Sequence, residues 1–373
     1  MAGQDQRAVL IRKFDQAHYL DYLEVGRRPK PQPKDGEVLI RMLARPIDPA
    51  DVLSLKGIYP GFRPSELPAV PGLEGMGKVE EVGHHVTALE VGDRVVPLLA
   101  SDYAKHGNGS WQEFIAVKAS DVVVMPDSIT DGEAAQFFVN PWTCLGLYRS
   151  INPSAGDWVI QTAATSVLGR QFIQLCKHKG VKVCEGVGYS NGSNVVLGRQ
   201  LIRLPKHKGV KTVNLVRRPE AAKELLDLGA DVVLSQDDPC LADKIRNATG
   251  PSLAVGAIDP VAGKLTKPLT ECVREDACVY LYAFLGGADA IVNTMDLLFK
   301  HVKVTGYWVS RDFHLMSREE RQKEAATVID LIQQKVISTS EGPHFDLADV
   351  REAVIKAQEP TSKRGGGKVM LVG

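Results

Sequence analysis

The chain has 373 residues, 44% of them hydrophobic and 24% charged, and its 45 basic and 45 acidic side chains cancel. That length accommodates two domains with separate cores, while a zero net charge offers no field toward nucleic acid or an anionic membrane. No apolar run approaches a membrane span; MAGQDQR before Ala8 is too short for a signal or transit peptide, so the expectation is cytoplasmic, or mitochondrial if a leader precedes this chain.

Residues 1–126 read as a strand-rich domain. RAVLIRKF, EVLIRMLA, GKVEEVG, DRVVPLL and QEFIAVK are short β-type runs broken by Gly, Pro and Asp turns, which suits a compact, partly open barrel. From 127 to 304 the texture changes. GEAAQFFVNPWTCLGLYRS reads as helix on both sides of a break at Pro141, then strands such as GDWVIQTA, TVNLVRR, DVVLS, AVGAIDPV and ACVYLYAFLGG alternate with helical stretches. That alternation predicts a parallel, doubly wound sheet. Residues 305–373 are assigned back to the first domain, with a strand-like KVTGYWVS, the helix REERQKEAATVIDLIQQK and a last strand KVMLVG. The expected class is α/β, a barrel plus a doubly wound Rossmann domain, with a ligand cleft between them. The cysteines (Cys144, Cys176, Cys184, Cys240, Cys272 and Cys278) show neither C-x-x-C pairing nor ligand spacing with histidine. Reduced thiols and no zinc are the expectation.

One segment occurs twice. VLGRQFIQLCKHKGVK at 167–182 returns at 196–211 as VLGRQLIRLPKHKGVK, changed only at Phe172/Leu201, Gln174/Arg203 and Cys176/Pro205. Copy one follows directly from GDWVIQ, and Pro205 would break a helix in copy two at a cost of roughly 3 kcal/mol. Copy one is therefore the expected cofactor helix. Its preceding turn lacks G-x-G-x-x-G; Ala163, Ala164 and Gly169 stand in its place, with the backbone of Ala164, Thr165, Ser166, Val167 and Gly169 facing a pyrophosphate. Where an NAD site ends its second strand in an acid, Arg217 and Arg218 follow TVNLV, which suits the 2′-phosphate of NADPH.

Beyond these local signals, ARPIDPADVLSLKGIYP, LPAVPGLEGMGKVEEVG, GDRVVP, GSWQEF, FVNPWTCLGL, GDWVIQTAATSVLG, LGADVVL and KVTGYWVS resemble the zinc-free medium-chain dehydrogenase/reductase family over nearly the whole chain. The pattern is most similar to NADPH-dependent trans-2-enoyl-CoA reductases, with quinone oxidoreductases second. The resemblance implies a GroES-like barrel for the first and last segments, a Rossmann domain between them, and a homodimer. Leu73 stands where the zinc-dependent branch has histidine.

Without a metal, a conjugated C=C–C=O is a better hydride acceptor than a lone carbonyl. The protein must then stabilise the enolate and protonate the α-carbon. By resemblance, Tyr59 is the candidate donor. Asp48 replaces the Asn of the family's I-N-P. Phe284, Gly286 and Trp308 are candidates beside the nicotinamide, with Trp142 a second pocket wall, and Lys368 a candidate for a cofactor phosphate. Three readings stay open: enoyl-thioester reductase, quinone or enone reductase, and a non-catalytic nucleotide binder in which residues 183–211 separate Arg217 from the cofactor helix.

Overall fold

A computed structural model describes residues 5–99, 106–178 and 209–373, and the backbone of 182–183 and 202–203. The chain forms two compact units, Met1–Pro141 with Ser310–Gly373, and Trp142–Val309. Both boundaries fall later than the expected 126/127 and 304/305. The first shift has a local cause: Glu74 of the first unit accepts the N–H groups of Phe138 and Val139 at 2.9 and 2.7 Å, tying that stretch to the barrel.

In the first unit β1 (Asp5–Ile11) pairs antiparallel with β2 (Leu23–Pro29). The main sheet contains β3 (Glu37–Pro46), β4 (Met76–Val82), β5 (Arg94–Pro97), β6 (Phe114–Lys118) and β7 (Val122–Val124). β3 holds β4 along its length and β6 along its first half. Strands that alternate inward and outward bury Val38, Ile40, Val79, Val95 and Ile115 in one core with Phe62 and Trp111. The helix Asp131–Ala135 starts at a reciprocal cap, with Thr130 Oγ1 accepting from Glu133 N–H and the Glu133 carboxylate from Thr130 N–H. Pro141 is tolerated in the first turn of the next helix, Val139–Ile151, where no intrahelical donor is needed.

The second unit is a parallel sheet. β8 (Trp158–Gln161) leads through the helix Val167–Lys177, and β9 (Lys182–Val183) and β10 (Ile202–Arg203) pair with each other. Then come β11 (Lys211–Val216), β12 (Val232–Ser235), β13 (Ala254–Asp259), β14 (Val273–Leu281) and β15 (Lys303–Gly306). The order β12-β11-β8-β13-β14-β15 is the doubly wound arrangement. KVTG is thus the sixth strand here, paired Cys278↔Lys303 to Leu281↔Gly306, and not a return to the first unit. A period of two marks a strand but does not say which sheet takes it. The chain returns to the first unit with the helix Arg318–Gln333, β16 (Glu341–Asp346) and β17 (Lys368–Val372), and β17 lies antiparallel to the end of β3.

The two repeat copies are used unequally. Copy one forms the helix after β8, burying Leu168, Phe172, Ile173, Leu175 and Cys176. In copy two Ile202 and Arg203 are extended, although their counterparts Ile173 and Gln174 are helical. Among the described residues of copy two, its end joins the sheet unit. Val210 N–H donates to Cys176 C=O at 2.9 Å, Lys211 N–H to Asp157 C=O at 2.8 Å, and Gly156 N–H to Gly209 C=O at 3.2 Å. Glycine is needed at 209, because a Cβ would stand 2.6 Å from that same Cys176 oxygen. The βαβ unit therefore closes from His178 to Gly209. Pro205 lies outside the described residues.

Candidate active site

Parallel strands end on one side of their sheet, and here those ends collect the cofactor candidates. After β8 the chain turns through Thr162–Ser166. Ala163 adopts φ 50°, the left-handed conformation that the family fingerprint assigns to glycine. Ala164 N–H reaches across to Leu215 C=O of β11 at 3.2 Å. Ser166 caps the helix, its Oγ accepting from Gly169 N–H at 3.0 Å, while its own N–H donates to Ala163 C=O at 2.9 Å. The N–H groups of Ala164, Ser166 and Gly169 are therefore already engaged, and of the five backbone groups expected to face a pyrophosphate only those of Thr165 and Val167 are left for it. A Cβ at Gly169 would lie 2.7 Å from Ala164 O, so helix and turn approach as closely as the fingerprint's third glycine allows.

The repeat does not displace the second strand. β11 runs beside β8 in register Lys211↔Trp158 to Asn214↔Gln161, so Arg217 and Arg218 follow a strand adjacent to the turn. Arg217 is exposed and, among the described residues, meets no carboxylate. Buried amides lock this geometry: Gln161 Nε2 donates to Gly169 C=O at 3.0 Å and to Asn214 Oδ1 at 2.7 Å, and Asn214 Nδ2 donates to Val232 C=O at 3.0 Å.

At the switch point between β8 and β13 sits Asp259, which sequence reasoning missed. Its fully buried carboxylate accepts from Thr162 Oγ1 at 2.6 Å, Thr266 Oγ1 at 2.9 Å, and the N–H groups of Val261 and Ala262 at 2.9 and 3.1 Å. An Asp-Pro after an apolar run signals a turn, not this hub. Beyond β14, Leu285 and Gly286 N–H groups donate to Pro260 and Val261 C=O at 2.9 and 2.8 Å, fastening one strand-end loop to the next. Phe284 is 44% exposed on that loop, and Trp308, just past β15, is 39% exposed. Trp142, the other expected pocket wall, is buried.

Tyr59 belongs to the first unit. It stands half-buried against the core, four residues beyond the helix Pro49–Leu55. Lys368 requires a correction: expected at a cofactor phosphate, it is instead buried and paired with carboxylates of the first unit. β17 enters beside β3, with Ile47 N–H donating to Val369 C=O at 2.9 Å. That pairing encloses the Lys368 ammonium with Asp48 at 2.5 Å and Glu74 at 3.0 Å. Burial opposes its charge, but the two carboxylates outweigh burial and hold its pKa above the ordinary lysine range. Burial pushes Glu74 up to about 7, with Lys368 opposing and Asp48 adding. Asp51, whose carboxylate accepts from Asp48 and Leu73 N–H groups at 2.8 and 3.0 Å, is held well above the usual carboxylate range by burial, Asp48 and Glu74. Asp48 is thus committed to Lys368 inside the fold. Among the described residues no His, Cys, Asp or Glu cluster suits a metal ion.

Residues 34–127 match the alcohol dehydrogenase GroES-like domain, and residues 196–334 match the zinc-binding dehydrogenase model. The second match begins in copy two, whereas the folded helix is copy one. A mitochondrial enoyl-[acyl-carrier-protein] reductase of Caenorhabditis elegans is 31% identical over 298 residues, covering 79% of this chain and 74% of the relative. A protein from Bacillus thuringiensis assigned as an NADPH:quinone reductase superposes with a TM-score of 0.81 at 26% identity, covering all of both chains. A mycobacterial protein solved with NADPH gives 0.75 at 25% identity, over 99% of this chain and 100% of the other. The chain belongs to the zinc-free medium-chain dehydrogenase/reductase family, within its group of enoyl reductases and quinone oxidoreductases.

Proposed function

We propose that this chain is an NADPH-dependent reductase of activated C=C bonds, with trans-2-enoyl thioesters as its substrates. The observation that carries the reading is the β8–turn–helix segment with β11 paired beside β8, and the exposed Arg217, which meets no carboxylate among the described residues, at the end of that strand. Residues that fit the cofactor are present: Thr165 and Val167, whose N–H groups the turn does not use itself, for the pyrophosphate, Arg217 and Arg218 for the 2′-phosphate, and Phe284, Gly286 and Trp308 beside the nicotinamide. When bound, NADPH supplies the hydride for the β-carbon. Tyr59 holds the developing enolate oxygen or protonates the α-carbon. The enoyl reductase relatives favour thioesters; the quinone reductase neighbours support quinones as the second reading.

The test is NADPH oxidation with crotonyl-CoA and, separately, a quinone. Faster thioester turnover supports the proposal, turnover of quinone alone establishes the second reading, and NADPH binding without oxidation of either marks a non-catalytic binder. Arg217→Glu should raise the KM for NADPH by about tenfold or more, through loss of a charge-assisted phosphate contact, and leave NADH use unchanged. We also propose a homodimer. Among the described residues no helix is long and apolar enough to cross a membrane. Because the relatives are mitochondrial, we propose that compartment over the cytosol; fractionation of tagged protein distinguishes them.

A further inference from the structure

We propose that Arg63 is a positioning residue for Tyr59, its guanidinium clamping the loop that carries the tyrosine; this rests on the reading of Tyr59 as the proton donor. The loop is fixed from inside by the helix before it. Ile58 and Tyr59 N–H groups both donate to Leu53 C=O, at 3.0 and 3.2 Å, and Phe62 N–H donates to Tyr59 C=O at 3.1 Å. Gly57 takes φ 70°, and a Cβ there would stand 2.7 Å from Phe14 Cβ. Phe62 is fully buried and meets Phe14 edge-on, with ring centroids 6.2 Å apart.

From outside, one atom closes the loop. Arg63 Nη1 donates to Tyr59 C=O at 2.7 Å, Phe62 C=O at 3.1 Å and Gly57 C=O at 3.2 Å. Three carbonyl dipoles that converge on one point repel each other, and a cation at that point reverses the sign of the interaction. Arg63 is exposed, and among the described residues no carboxylate competes for it. Its charge is thus spent on backbone oxygens of its own loop, the shortest bond going to Tyr59 itself. Water can hydrate the freed carbonyls when the guanidinium is removed, so the fold survives. The set of the loop, and with it the Tyr59 hydroxyl, does not.

A group displaced by about 1 Å from its reacting atom can slow turnover by up to about 100-fold. We expect Arg63→Met to lower kcat by about tenfold or more while leaving KM for crotonyl-CoA and crotonyl-pantetheine within about twofold. Arg63→Lys should recover part of the loss. In a Tyr59→Phe background, Arg63→Met should cost nothing further, because nothing remains to be positioned. An equal fall in both backgrounds would show a merely structural role and overturn the proposal. So would unchanged kcat, or a raised KM for the CoA ester alone, which would make Arg63 a phosphate anchor. Full activity of Tyr59→Phe would remove the tyrosine reading itself and the role of Arg63 with it, whereas a slow Tyr59→Phe beside an unaffected Arg63→Met rejects only the clamp.

Discussion

Asp48, Asp51, Glu74 and Lys368 are each at most 3% exposed, and the cluster holds three carboxyls and one ammonium, with Asp48 and Glu74 on the ammonium and Asp51 coupled to both of them. Full ionisation would leave an unbalanced double negative charge away from water, so the cluster retains protons. Glu74, raised to about 7 from 4.5, and Asp51, raised well above its ordinary range, bind protons more tightly folded than unfolded. Such groups contribute stability below their unfolded pKa and lose it as pH rises through the folded one. For Glu74 that window runs from about 4.5 to 7, and the loss is about 3 kcal/mol by pH 8. Urea unfolding from pH 5 to 8 should show this decline, and Asp48→Asn should flatten it by removing a charge that raises both acids. A slope unchanged in Asp48→Asn would place the titration elsewhere. Lys368→Met strips the ammonium that meets Asp48 and Glu74 and should cost about 3–5 kcal/mol. None of this was legible in sequence. GGGKVMLVG reads as a surface lysine before a strand, and its partners lie about 300 positions away in the chain.

At the scale of elements, the repeat tests how far local sequence decides structure. Near-identical residues are helical in copy one and extended at Ile202–Arg203, so context outweighs propensity. What sequence did show was continuity with GDWVIQ and the penalty of Pro205, and the helix is copy one. What it could not show was the point of re-entry, because Gly180–Lys182 and Gly209–Lys211 are the same tripeptide. Contacts from Cys176 and Asp157 choose the second. Removing residues 179–207 leaves VLGRQFIQLCKHKGVKTVNLV, which joins the helix to β11 without a mismatch. We expect that variant to bind NADPH within about twofold of the parent and to melt higher, since closing a loop of that length costs up to about 3 kcal/mol of entropy. Lost NADPH binding in a folded deletion variant would instead give the removed residues a role at the site.

For the molecule as a whole, the sheet of the second unit ends at a strand that no other strand among the described residues pairs on its outer side. β15 is its last strand, with Lys303, Thr305 and Gly306 exposed. Neither proline nor a bulge interrupts its pairing with β14, so its free edge is a template for another strand. Next to it in sequence, Ile291, Met295, Leu298 and Phe299 are exposed by 54–68%, in and just before the helix Thr294–Phe299. An apolar cluster beside an open edge is rare on a monomer and common at interfaces. The homodimer proposed above would put a second copy there, because two identical edges run antiparallel across a two-fold axis and bring two identical apolar helices together. Light scattering should give about twice the 40.6 kDa chain mass. Leu298→Glu with Phe299→Glu should halve that mass without abolishing NADPH binding, since the turn Ala164–Gly169 is untouched. A wild-type monomer would leave the edge to be explained as a binding surface for something else. A dimer that survives both charges would move the interface off β15 to another face of the chain.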